Sequence, residues 1–144
     1  ELYAGARALV RRAEQALAAG TPSVLRNWIN GGEKLDPRLI ARAAEEHDDL
    51  AEDLIMQTAG YLAIGTINIM HIINPDTVLL GGAMTFGRKE TELGRRFLAR
   101  IQETINQHAF PIPAERTVID YASLGGDAGF IGAAGCARAA FGKS

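Results

Sequence analysis

The chain has 144 residues, 47% hydrophobic and 22% charged, enough for one compact domain with its own core. The 15 Lys and Arg against 17 Asp and Glu leave a net charge of −2, and no basic cluster interleaved with aromatics offsets it, which speaks against nucleic acid as a partner. Cys136 is alone, which excludes an intrachain disulfide and favours a reducing, cytoplasmic setting.

The first residue is Glu1, not Met, with no basic-then-apolar leader behind it, so a fragment of a longer protein is expected. Residues 2–19 predict a helix packed along one face: Leu9, Ala13, Ala16 and Leu17 share a side, and Arg7, Arg11, Arg12 and Glu14 fall mostly elsewhere. Gly20 and Pro22 stop it, and residues 20–37 read as a long polar connection anchored by Trp28. Asp36-Pro37, a cap followed by proline at the first helical position, opens a second helix over 37–46.

His47-Asp48-Asp49 opens a third, long helix ending at Asn74-Pro75. From Leu54 to Pro75 it carries no formal charge, close to the roughly 20 residues that cross a bilayer. Gln57, Thr58, Thr66, Asn68 and His71 interrupt that run and its flank is acidic rather than basic, so it reads as a core helix with no membrane contact. Asp48, Asp49, Glu52 and Asp53 read as a solvated acidic first turn that complements the helix dipole.

Thr77-Val78-Leu79-Leu80-Gly81-Gly82 predicts a strand that ends in two glycines. A charged amphipathic helix follows over 89–109, with Leu93, Phe97, Leu98, Ile101 and Ile105 as its stripe, broken by Phe110-Pro111-Ile112-Pro113. Residues 116–124 read as a second strand, and Gly125-Gly126-Asp127 leads into a last helix reaching Phe141, with Asp127 as its cap. Gly126, Gly129, Gly132 and Gly135 recur every third residue, which is not a dinucleotide fingerprint and predicts close approach to a neighbouring element. Cys136, on that helix, is expected as a buried structural thiol. Strand, helix and strand are long enough for a crossover between parallel strands, but two strands are too few for a sheet on their own.

Few groups offer chemistry. His47, His71 and His108 form no metal-ligand pair; His71 is expected as a satisfied buried histidine and His108 as a cation in a last helical turn. Ser23, Ser123 and Ser144 lack a nucleophile-elbow setting. Gly81-Gly82 remains: either a plain tight turn, or a place where a ligand lies against bare backbone at a strand's carboxyl end.

Four passages in order resemble the C-terminal half of the ROK family of bacterial sugar kinases and repressors: ELYAGARALVRRA, ARAAEEHDDLAEDLI, INPDTVLLGGAM and LGGDAGFIGAAGCA. The resemblance implies an α/β fold, part of the C-terminal lobe of an actin-like ATPase (ribonuclease H-like) fold, with residues 1–144 as one helix-rich segment containing a parallel strand–helix–strand unit. It implies that Gly81, Gly82 and Ala83 lie beside the adenosine of ATP, with Ala83 where many members have glycine, and that Glu1 contacts sugar hydroxyls. It further implies that the phosphate loop, the catalytic aspartate and a zinc-binding cysteine cluster precede Glu1, that Mg²⁺ serves the phosphates, and that the protein is a homodimer. The activity implied is that of an ATP-dependent hexose kinase, a glucokinase acting on glucose, with this segment inactive alone. The alternative is a sugar-sensing repressor of the same family, which binds sugar but not ATP and often lacks the Gly-Gly turn. A pure interaction module, using the last helix and the exposed face of helix 89–109, is a third reading.

Overall fold

A computed structural model describes residues 2–82 and 84–142. Among the described residues, seven helices and two short strands follow one another: α1 (Ala6–Ala18), α2 (Val24–Asn30), α3 (Pro37–Glu45), α4 (Asp49–Ile73), β1 (Thr77–Leu80), α5 (Glu92–His108), α6 (Pro111–Arg116), β2 (Val118–Tyr121) and α7 (Ala128–Phe141). Single 3₁₀ turns at Arg88–Glu90 and Gly125–Asp127 precede α5 and α7.

The helices form where the apolar spacing and caps place them. Leu9, Ala13 and Leu17 bury one face of α1, with Ala8 beside them. Asp36 accepts from the Leu39 amide at 2.8 Å and Pro37 sits in the first turn of α3. Thr91 caps α5 by accepting from Gly94 N at 3.0 Å. The predicted stripe of α5 is buried in full, and Phe97, Ile101 and Ile105 lie fully inside with Leu9, Ile40, Ile55 and Met70. α4 is the spine of this core, with α1, α3 and α5 packed along it. Each such aliphatic or aromatic side chain gains about 1.5–3 kcal/mol by leaving water.

β1 and β2 pair in parallel from Thr77↔Val118 to Leu80↔Tyr121. Ile119 and Tyr121 are buried and Val78 and Leu80 half-buried on the face toward the core, whereas Leu79 and Val118 are exposed on the other. The Tyr121 hydroxyl donates to the Gly94 carbonyl at 2.8 Å, tying β2 to α5. Burial, then the neighbouring Asp120 charge, push that phenol up to about 12.

Several expectations need correction. The connection 20–37 contains α2, seven residues long, because Ser23 accepts from the Leu25 amide and starts it. Phe110–Pro113 does not only break a helix: Pro111 occupies the first turn of α6, where its missing N–H costs nothing. Asp48 is not a solvated carboxylate. It is 8% exposed, accepts from the Ala51 and Val24 amides at 2.9 and 2.8 Å, and takes the Ser23 hydroxyl at 3.0 Å, so one side chain fixes the starts of α4 and α2. His71 is exposed; its Nε2 accepts from the Phe110 amide at 3.0 Å while the two rings stack.

The close approach expected of α7 is absent among the described residues. None of its residues is buried, a Cβ on Gly129, Gly132 or Gly135 would meet nothing within 4 Å, and Cys136 is exposed. Phe130 and Phe141 are 80% and 87% exposed. Asp127 makes no side-chain cap: its backbone is already helical (φ −82°, ψ −9°) rather than extended, and its amide donates to the Leu124 carbonyl at 3.1 Å. No described helix is long and apolar enough to cross a membrane.

Candidate functional site

The carboxyl ends of β1 and β2 lie side by side. Ala122 N donates to the Leu80 carbonyl at 2.9 Å, so Gly81-Gly82 leaves the sheet next to Ala122-Ser123. Both glycines are exposed. Gly82 has φ +92°, a conformation that L side chains rarely adopt, and a Cβ there would meet nothing within 4 Å. Gly81 lacks the positive φ; a Cβ on it would sit 3.7 Å from the Ala122 Cβ, an ordinary contact. The turn therefore needs glycine for its dihedrals at Gly82 alone, and Gly81 leaves backbone bare where the fold would accept a methyl group. Ala83 and Glu1 lie outside the described residues.

Beyond the turn, the chain folds into a constrained loop. Phe86, Gly87 and Arg88 are consecutive left-handed residues with φ of +47°, +79° and +55°. Phe86 packs edge-on against Phe97 at 4.8 Å, and the Thr91 hydroxyl donates to the Phe86 carbonyl. Met84, Phe86 and Thr91 form one wall of a cavity of about 490 Å³, faced by Arg38, Ala41 and Arg42 of α3. Its size and mixed lining suit a flat heterocycle or a small polar molecule.

One ion pair ties the loop to β2, and a second braces α5 against α4. Lys89 Nζ lies 2.5 Å from Asp120 Oδ2, and that ammonium holds the Asp120 carboxyl below its usual range. Arg96 joins α5 to Glu52 of α4 at 2.6 Å, and this guanidinium lowers the Glu52 pKa, with His47 adding to it. A larger hollow of about 640 Å³ lies beside α1, but its walls all come from Leu2 to Arg11, a single helix and its approach. No three His, Cys, Asp or Glu gather in a metal-ligand group among the described residues. The bare backbone at Gly81 can take a planar group against it.

The sequence model of the ROK family matches residues 1–140. The chain belongs to the ROK family. Among curated ROK-type relatives, it is 30% identical over 110 residues to the xylose repressor of Caldicellulosiruptor bescii, covering 76% of this chain and 26% of the repressor. It is 26% identical over 132 residues to the glucokinase of Halalkalibacterium halodurans, covering 92% of this chain and 38% of that enzyme. The chain thus spans well under half the length of either relative. A crystal structure of a ROK family glucokinase from Streptomyces griseus, in complex with glucose and AMPPNP, superposes with a TM-score of 0.74 at 28% identity, covering 96% of this chain and 44% of the other. The fold is therefore that of the actin-like ROK sugar kinases, represented here by a helix-rich portion with a small parallel sheet.

Proposed function

We propose that this chain is the C-terminal lobe segment of a ROK-type hexose kinase that transfers phosphate from ATP to glucose, and that it supplies the adenosine-side wall of the nucleotide site. The observation that carries the reading is Gly81: bare backbone, at the carboxyl end of a strand, where the fold itself has room for a side chain. Similarity to a glucokinase that binds AMPPNP supports it.

On this reading the adenosine lies against Gly81-Gly82-Ala83, and Glu1 reaches the sugar hydroxyls. Phosphoryl transfer works by positioning and charge neutralisation; this chain positions the nucleotide. The phosphate loop, the catalytic aspartate, the Mg²⁺ ligands and the zinc cysteines belong to the preceding part of the parent. A two-stranded sheet and the uncovered side chains of α7 support a longer parent. The proposed protein is a cytoplasmic homodimer, and the isolated segment is inactive. A second reading, a sugar-sensing repressor without ATP, is favoured by the 30% identity to a xylose repressor. Calorimetric titration of the full-length protein with ADP and glucose separates the two: a kinase binds both, whereas a repressor binds sugar alone.

A further inference from the structure

The loop that follows Gly81-Gly82 holds an arginine in an unusual place. Arg88 has a left-handed φ of +55°, third in a run of three such residues, two of which carry a Cβ. Such a run is strained and persists only when its surroundings over-determine it. Here they do. Arg88 N donates to the Thr85 carbonyl at 2.8 Å, Arg95 Nη1 donates to the Lys89 carbonyl at 2.8 Å, and a Cβ on Gly94 would overlap the Arg88 backbone.

The side chain then reaches out of the loop. Arg88 Nη1 donates to the Ala122 and Ser123 carbonyls, each at 3.3 Å, capping the end of β2. Its guanidinium also lies against Gly125, where a Cβ would sit 3.4 Å from Nη2 and where φ is +55°. One residue of the β1 loop thus grips the carboxyl end of the neighbouring strand and the glycine turn before α7. The lysine–aspartate pair Lys89–Asp120 fastens the same two segments one step further back.

We propose that Arg88 is a positioning residue for nucleotide binding. It fixes the Gly81-Gly82 turn against the end of β2, so that the bare backbone at the two strand ends presents one rigid surface. The inference rests on the nucleotide reading above. It assigns Arg88 no contact with the nucleotide; the hydrogen bonds of its side chain in the structure go to two protein carbonyls.

The informative variant is Arg88→Gly, which deletes the guanidinium and relieves the left-handed strain together, so the strain removed offsets the hydrogen bonds lost and the chain freedom that glycine adds. In the full-length protein, titration with ADP should show affinity reduced by about tenfold, the worth of one hydrogen bond to a charged group. Glucose affinity and the thermal midpoint should stay at wild type, and Arg88→Lys should recover part of the loss. An unchanged ADP affinity in Arg88→Gly, alongside a weakened one in Gly81→Ala, overturns the positioning role and leaves the nucleotide turn standing. Equal losses of ADP and glucose affinity also overturn it, since they mark general loosening. Unchanged ADP affinity in both variants removes the nucleotide reading and this inference together.

Discussion

Gly81→Ala is the substitution that separates ligand from fold at the strand end. The new methyl group would lie 3.7 Å from the Ala122 side chain, and the backbone at Gly81 is not left-handed, so nothing among the described residues opposes it. Losing glycine's freedom in the unfolded chain should add about 0.4–1 kcal/mol of stability. If a purine or ribose packs on this backbone, the methyl group enters a contact that is already at van der Waals distance. Overpacking of that kind costs about 1–3 kcal/mol, which is about 5- to 150-fold in dissociation constant. The assay is calorimetric titration of full-length wild type and variant with ADP, together with a thermal melt of each. The expected result is a thermal midpoint held or raised, ADP affinity lowered by that factor, and glucose affinity untouched. An ADP affinity equal to wild type in a folded Gly81→Ala protein would refute the reasoning, and Gly81-Gly82 would then be a turn and nothing more.

Other consequences follow from the same geometry. Gly82→Val should raise the KM for ATP and leave that for sugar nearly unchanged in steady-state kinetics, at an added stability cost of about 1–2 kcal/mol for the left-handed backbone. Asp48→Ala should cost about 2 kcal/mol in urea unfolding, since it orphans two amides at once, while Asp48→Asn keeps an acceptor for only one of the two amides, turns an NH2 donor toward the other, and should recover no more than about half of that loss. Because Arg96 lowers the Glu52 pKa in the folded protein, their pair stabilises at pH above the ordinary glutamate range, and that contribution is lost as pH falls through the lowered folded value. Arg96→Ala should therefore flatten the acid limb of the stability–pH curve, by no more than about 1 kcal/mol for an exposed pair. Tyr121 behaves oppositely: its folded pKa is raised to about 12, so its contribution is complete below the unfolded value and is lost as pH rises through 12. Tyr121→Phe should remove that alkaline loss in unfolding curves taken between neutral and high pH.

Much of the fold was legible because local signals and tertiary packing agreed. The stripe from Leu93 to Ile105, the Asp36-Pro37 start and the Asn74-Pro75 stop each mark an element by periodicity or cap chemistry, and the structure keeps all three. The strands were placed correctly but read too long, since Gly81-Gly82 and Ala122–Leu124 lie past the last paired residues. α2 was hidden because seven residues between glycines carry too little periodicity to reveal a helix. Asp48 misled because an acidic first turn looks the same in sequence whether its carboxylate meets water or a neighbouring helix start. Only the placement of Ser23 and Val24 decides that. The small-residue spacing of α7 predicted close approach to a neighbouring element, and no such neighbour is present among the described residues. At the candidate site, the glycine pair was visible in sequence. The left-handed run Phe86-Gly87-Arg88 was not, because two of its three residues are types that seldom adopt that backbone.

The central claim is that these residues form one wall of a nucleotide site in a hexose kinase. ADP release by the purified full-length protein, followed in the presence of ATP and Mg²⁺ while hexoses are offered one at a time, tests it most directly. The account predicts strong turnover with glucose and a background rate without sugar. Measurable glucose binding with no turnover on any hexose would contradict it and favour the repressor reading.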